Sequence, residues 1–154
     1  MSLDRYDQAI LTAIQKDGRL SNQDLAKAVG LSTAPCWRRV KRLEEEGYID
    51  SYTALINPKK MGLHVVAFAE VSLDNHHLDT LNAFNEIIQS CPEIQECHYV
   101  TGGCDYLLKI VSKDMEAYEQ LLSNKLLKIP CIRSVSTMFS LKTSKLTREL
   151  PINQ

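Results

Sequence analysis

One pattern occurs twice in the second half of this chain and strongly limits the folds that it can adopt. In each copy, a run of apolar residues at helical spacing is followed by the tripeptide Pro-x-Ile, and the isoleucine begins a β-prone run. The two prolines, Pro92 and Pro130, are 38 residues apart. Because proline ends a helix and isoleucine favours a strand, each copy predicts a helix followed by a strand. A strand at residues 64–73 precedes the first copy, and another at 106–112 lies between the copies.

The predicted order of elements is therefore βαββαβ, which is the ferredoxin-like plan. The two remaining strands are residues 94–101 and 132–141, and the two helices are residues 77–90 and 115–126. Four strands with two helices on one face leave the other face of the sheet bare. Such an uncovered face favours dimerisation.

The first half has a different pattern, in which three short amphipathic helices are each followed by a glycine. Apolar residues recur at steps of three and four, and Gly18, Gly30 and Gly47 follow the three helices. The turn after the second helix is tight, because Gly30 suits a left-handed backbone conformation. This arrangement predicts a helix-turn-helix at about residues 22–41, whose second helix enters the major groove of DNA.

We therefore expect an α+β chain with two domains. Residues 1–57 are predicted to form a winged helix-turn-helix domain, with the β-prone stretch 48–56 as the wing. Residues 58–63 contain a proline and a glycine around polar residues, which is typical of a linker. Residues 64–154 are predicted to form the ferredoxin-like domain.

The third helix has a basic face opposite an apolar one. On a wheel of about 100° per residue, basic residues cluster around Arg38, whereas Cys36 and Leu43 lie on the far side. A lone basic run is more often a solvated face, but the helix-turn-helix context favours double-stranded DNA as the partner. The net charge of the whole chain, −1, does not reveal this local patch. We expect DNA contacts from Ser32, Thr33, Ala34, Pro35, Arg38, Arg39, Lys41 and Arg42.

A turn between two predicted strands is the candidate ligand site. Its sequence is Thr101-Gly102-Gly103-Cys104-Asp105. Glycine and aspartate are the residues that a hairpin turn requires, so a purely structural turn is one interpretation. In the other interpretation, glycine N–H groups hold a carboxylate and Asp105 holds an ammonium group. Together these match the two charged ends of a free α-amino acid.

The sequence contains no motif that indicates a metal site, an enzyme or a membrane protein. The residues Cys97, His98, Cys104, His76 and His77 match no zinc spacing, and we expect no metal. Five cysteines without a C-x-x-C motif favour a reducing cytoplasm. We find no catalytic grouping or phosphate loop, and therefore expect neither an enzyme nor a cofactor. No apolar run approaches the roughly 20 residues of a membrane span, and no signal pattern opens the chain, so we expect a cytoplasmic protein without a membrane partner.

The order of the motifs resembles the Lrp/AsnC family, the feast/famine regulators, over essentially the whole chain. In the first half the resemblance is carried by Leu3-Asp4-x-x-Asp7-x-x-Ile10-Leu11, Asp17-Gly18-Arg19-Leu20-Ser21, Val29-Gly30-Leu31-Ser32, Pro35-Cys36-x-x-Arg39-Val40-x-Arg42-Leu43-Glu44 and Gly47-x-Ile49. In the second half it is carried by Ile94-Gln95-Glu96-Cys97-His98, Gly102-x-x-Asp105-Tyr106-Leu107-Leu108-Lys109 and Asp114-Met115-x-x-Tyr118. One departure is Trp37, where the resemblance leads us to expect a smaller aliphatic residue.

The resemblance implies a transcriptional regulator whose ferredoxin-like half is a RAM-type domain that dimerises and senses an amino acid. It also implies that dimers assemble further, often to octamers, with DNA wrapped around them. The G-x-x-D turn lines the effector pocket in the family, and that pocket lies between dimers. The expected effector-binding residues are therefore Thr101, Gly102, Gly103, Cys104 and Asp105, with Met138 and Ser140 on the last strand.

The identity of the effector is a separate expectation. An apolar, leucine-like amino acid is favoured by the resemblance and by Met115 and Met138, because methionine is an adaptable apolar lining. The alternative is a nucleoid-architecture protein that binds DNA broadly without a ligand. In that case the G-x-x-D turn would bind no amino acid.

Overall fold

The computed structural model describes residues 3–152, which lie in two compact units. Of these, residues 3–55 and 145–152 form the first unit, and Ile56–Ser144 form the second. The sequence analysis assigns residues 64–154 to the ferredoxin-like domain, whereas the structure places residues 145–152 with the first unit. Leu150 joins the end of the chain to α1, because its N–H donates to Gln15 Oε1 at 2.6 Å and its carbonyl accepts from Gln15 Nε2 at 3.2 Å. An irregular tail has no periodicity from which this docking could be predicted.

The first unit is built from three helices: α1 (Arg5–Lys16), α2 (Asn22–Val29) and α3 (Thr33–Glu45). Asp4 caps α1 in a capping box with Asp7, and Ser21 caps α2 by accepting the N–H of Asp24. Gly30 follows α2 in the left-handed conformation, with φ 71°, as its position in a tight turn requires. The core between the helices is a buried apolar cluster of Ile10, Leu11, Leu25, Ala26, Cys36 and Leu43.

The predicted β-wing is not formed. Within the described residues, no strand lies between α3 and residue 65, and Tyr52, Leu55 and Ile56 are exposed. Two short strands with nothing to pack against are marginally stable, so β-propensity alone does not order this stretch. Further on, the expected linker contains a short 3₁₀ turn, Lys59–Met61, which ends at Gly62 with φ 77°.

The second unit has the predicted ferredoxin-like plan. Its strands are β1 (Val65–Leu73), β2 (Ile94–Tyr99), β3 (Tyr106–Ser112) and β4 (Ile132–Phe139), and its helices are α4 (Leu78–Gln89) and α5 (Met115–Asn124). A 3₁₀ turn, Leu126–Lys128, follows α5. The strands form one antiparallel sheet in the order β2-β3-β1-β4.

The two faces of this sheet differ in what they contact. On one face, alternate residues of β1, such as Ala69 and Val71, are buried in a cluster that includes Phe84 from α4 and Leu121 from α5. On the other face, the register places Phe68 opposite Lys109 and Met138. Met138 is 51% exposed. In the described part of the unit, both helices pack against the first face, which leaves the second face uncovered.

Candidate DNA-binding surface and ligand-binding turn

One face of α3 is open to solvent, as its helical wheel predicts. Cys36 and Leu43 are fully buried in the core of the first unit, whereas the opposite side chains are exposed. Small residues stand at the N-terminal end of this face, where backbone N–H groups and the helix dipole favour phosphate. The exposed residues of this face are Ser32, Thr33, Ala34, Trp37, Arg38 and Lys41.

Two of the four basic side chains remain available to an external anion. Arg38 is exposed, and no ion pair or hydrogen bond joins its side chain to residues 3–152. Lys41 Nζ lies 3.2 Å from Glu44 Oε2, in a pair whose side chains are 51% and 30% exposed. An ion pair this open to water is worth little, so a phosphate group can replace Glu44 as the partner of Lys41.

The other two basic side chains point to a buried carboxylate. Asp7 on α1 is 2% exposed, and its carboxylate accepts a hydrogen bond from Arg39 Nη1 at 2.7 Å and forms an ion pair with Arg42 Nη2 at 2.6 Å. Arg39 Nη1 also lies 2.7 Å from Asp4 Oδ2. The hydrogen bond to Asp7, and then that to Asp4, raise the pKa of Arg39. These pairs join α3 to α1 within the first unit.

The structure therefore divides the residues that the sequence grouped together. The DNA contacts of Arg39 and Arg42 stay a prediction, but both guanidinium groups have carboxylate partners in the chain. The wheel shows only which face of α3 each arginine occupies. The sequence does contain a sign of the carboxylate that pairs with these arginines, because Asp7 lies on the same face of α1 as the core residues Ile10 and Leu11.

The N-terminal end of α3 is joined to α2, and a cavity lies on its flank. Asn22 Nδ2 donates to the carbonyl of Thr33 at 3.4 Å, and Ser32 precedes the helix without a side-chain capping bond. Pro35 lies in the first turn and is partly buried. Trp37, half-exposed, and Tyr52 line a cavity of about 280 Å³ that lies along α3 between Trp37 and Glu44.

In the second unit, the Asp105 carboxylate ties the candidate turn to the end of β1. Asp105 Oδ2 accepts the N–H of Leu73 at 2.7 Å, and Oδ1 lies 2.8 Å from His76 Nε2. The N–H of Asp105 donates to the carbonyl of Val71 at 2.9 Å. The bond from Leu73, followed by that from His76, lowers the pKa of Asp105. Both carboxylate oxygens thus have partners in the chain.

The two glycines of the turn have different local constraints. Gly102 has φ 127°, a conformation that favours glycine over other residues. Gly103 has no such φ, and a Cβ placed on it would meet no described atom within 4 Å. Thr101, Gly102 and Gly103 are exposed, while Cys104 is partly buried. The backbone conformation of the turn therefore explains why a glycine is present at position 102, but it does not explain the glycine at position 103.

A single chain does not bring the two parts of the predicted effector site together. Along β1, the Asp105 N–H is bonded to Val71, Met138 is opposite Phe68, and the Ser140 N–H is bonded to Val66. At about 3.3 Å per residue, Met138 lies roughly 10 Å and Ser140 roughly 17 Å along the strand from the turn. A site that contains all of these residues requires more than one copy of the chain.

Both units match domains of known protein families. Residues 3–50 match the sequence model of a winged helix-turn-helix DNA-binding domain, and residues 66–150 match that of the Lrp/AsnC ligand binding domain. The chain belongs to the Lrp/AsnC family. This Lrp/AsnC-family chain is a transcriptional regulator with an N-terminal DNA-binding domain and a C-terminal ligand-binding domain.

The relatives of this regulator are similar over nearly their whole length. The leucine-responsive regulatory proteins of Klebsiella pneumoniae and Escherichia coli K12 are each 45% identical over 150 residues, which cover 97% of this chain and 92% of theirs. A transcriptional regulator from Neisseria meningitidis, solved as an L-Met complex, has a TM-score of 0.96 at 36% identity, covering 99% of this chain and 98% of that one. An AsnC family transcriptional regulator from Agrobacterium tumefaciens has a TM-score of 0.93 at 40% identity, covering 97% of both chains.

Within residues 3–152, no helix is both long and apolar enough to pass through a membrane. Among the same residues, no group of three or more His, Cys, Asp or Glu side chains is placed to hold a metal ion.

Proposed function

We propose that this regulator acts in the cytoplasm and binds operator DNA through the exposed face of α3, and that a free amino acid controls its activity or assembly. The observation that supports the DNA site is the position of Arg38 and Lys41. Both project from the face opposite the buried Cys36, beside an open helix N-terminus. In this proposal the small residues Ser32 to Pro35 allow close approach to the duplex.

The proposed effector site is the turn 101–105, completed by the last strand of another copy. Three observations support it. The backbone at Gly103 is open, Met138 is exposed, and Ser140 lies roughly 17 Å along the strand from the turn, which is too far for one small molecule to contact both within one chain. An apolar amino acid fits a methionine lining. The relatives named for leucine and the neighbour solved with L-Met support the same class of ligand.

The uncovered face of the sheet supports assembly of this chain with a second copy. The apolar side chains on that face come from three strands, and a second copy would remove them from water. We propose a dimer through this face and a higher oligomer, with an octamer as the expected form. The apolar residues in question are Val66, Phe68, Leu107, Val111 and Met138.

A ligand-free architectural function is the alternative, and one observation favours it. Both oxygens of the Asp105 carboxylate already have partners in the chain, as they would in a turn with a purely structural role. In that case DNA binding would not respond to amino acids.

A thermal-shift screen of the twenty amino acids against the full chain separates these two functions. A ligand at 100 times its Kd stabilises the folded state by about 2.7 kcal/mol, which is readily measured as a rise in Tm. We expect leucine, methionine or a similar apolar amino acid to raise the Tm and to change DNA binding in a parallel titration. A flat response to all twenty would refute the effector site and leave the architectural function.

A further inference from the structure

His76 occupies the carboxylate oxygen that an effector would need. Its Nε2 lies 2.8 Å from Asp105 Oδ1, and its side chain is 49% exposed. The other carboxylate oxygen accepts the N–H of Leu73. Because the Leu73 donor is part of the β1 backbone, that bond is fixed by the sheet. The bond to His76 joins two side chains, one of them in the connection between β1 and α4, and is the one that can be exchanged.

A free amino acid would compete with His76 for this oxygen. The proposed site places the ammonium group of the ligand at the Asp105 carboxylate, and an ammonium donates charge-assisted hydrogen bonds to a carboxylate. A protonated imidazole does the same, whereas a neutral one makes the weaker bond. The strength of the competitor therefore depends on the charge of the imidazole.

We propose that His76 is a pH-sensitive latch on the effector site, which closes over Asp105 when protonated and is displaced by the ammonium group of the bound amino acid. This inference rests on the proposed effector site. Histidine is the residue type whose charge normally changes between about pH 5 and pH 8. Effector binding should accordingly be weaker on the acidic side of this range and stronger on the basic side.

Arg133 and Cys104, two ionisable groups near the pair, do not supply the same response. Arg133 lowers the pKa of Asp105, after the larger effects of Leu73 and His76, and guanidinium groups stay charged throughout this range. Desolvation raises the pKa of the Cys104 thiol, with smaller contributions from Glu70 and Asp105, so the thiol stays neutral. The neighbouring ionisable groups are Arg133 from β4, Glu70 from β1, Cys104 from the turn, and Asp74 and His77 from the connection itself.

His77 offers a matched control. It is also a histidine in the connection between β1 and α4, but it immediately precedes α4 and its side chain does not cap the helix. Full-length wild type, His76→Gln and His77→Gln should be titrated calorimetrically with L-leucine and with L-methionine at about pH 6 and about pH 8. Glutamine stays uncharged at both values, and thermal unfolding confirms that each variant folds.

We expect the wild-type Kd to be about threefold to tenfold weaker near pH 6 than near pH 8, since exchange of one proton changes Kd by up to tenfold per pH unit. His77→Gln should keep this dependence. His76→Gln should lose it and bind at both pH values as tightly as wild type does near pH 8.

Three results would overturn the latch while leaving the effector site intact. They are a wild-type Kd that does not change with pH, a pH dependence that survives in His76→Gln, and binding by His76→Gln that is weaker than wild type at both pH values. The last result would mean that His76 orients Asp105 for the ligand. If wild type bound neither ligand at either pH, the proposed effector site for leucine-like amino acids would fail together with the latch.

Discussion

Neutralising Arg38 and neutralising Arg39 should have different consequences, although the two residues are neighbours in α3. Arg38 is exposed and has no side-chain partner within residues 3–152. Arg38→Gln should therefore leave the free energy of unfolding within about 0.5 kcal/mol of wild type. If Arg38 contacts a phosphate, its loss removes about 0.9 from the slope of log K against log salt. A dimer carries two copies, so the slope should become shallower by about 1.8.

Arg39→Gln should instead act on stability. Removing one partner of a buried ion pair costs about 3–5 kcal/mol when the remaining charge is left alone. Here the cost should be smaller, because Asp7 keeps Arg42 at 2.6 Å and Arg39 is 26% exposed. We expect about 1–3 kcal/mol, and since 1 kcal/mol shifts the Tm of a unit this small by about 4–8 °C, the Tm should fall by at least about 4 °C. The salt slope should change less than in Arg38→Gln, because Asp7 and Asp4 already pair with the Arg39 guanidinium group.

The assay needs a DNA probe, which can be selected from a random duplex library with the wild-type protein. Fluorescence anisotropy between about 50 and 200 mM salt then gives the slope for each variant, and calorimetry gives the Tm. If Arg39→Gln made the slope shallower by as much as Arg38→Gln and left the Tm unchanged, the division of the basic residues into two roles would be refuted.

Three more predictions concern the turn, the sheet and the tail. Gly103→Ala should leave the Tm unchanged, because the added Cβ meets no described atom of the chain, but it should abolish calorimetric binding of the amino acid, because the Cβ would obstruct a ligand at the backbone. Gly102→Ala should instead lower the Tm, because Gly102 has φ 127°. A fragment of residues 61–144 should remain oligomeric in light scattering, and a monomeric mass would contradict assembly through the sheet. A chain ending at Ser144 should unfold its first unit at lower temperature, because it loses the Gln15 bonds to Leu150; an unchanged Tm would show that the tail contributes nothing.

The positions of the helices and strands followed from local patterns. The predicted helix 77–90 is observed as Leu78–Gln89, and the predicted strand 64–73 as Val65–Leu73. Apolar periodicity, caps and prolines act within a few residues of chain, so they mark elements without knowledge of the tertiary structure. The βαββαβ order and the helix-turn-helix are sums of such local signals, and both were confirmed. The stretch predicted to form the wing contains no strand, because a strand needs a neighbouring strand to bond with and β-propensity alone does not supply one.

The partners of the charged side chains were decided only by the tertiary structure. Arg39 meets Asp7 across 32 residues of chain, and Asp105 meets Leu73 across another 32. An arginine on a helical wheel looks the same whether it faces phosphate or a buried carboxylate on the next helix. The difference depends on which carboxylate lies within about 3 Å after packing, and on how little water remains around it. Periodicity carries no information about such distances, so the sequence identified the basic face and the turn, while the fold decided which of their charges remain available to a ligand.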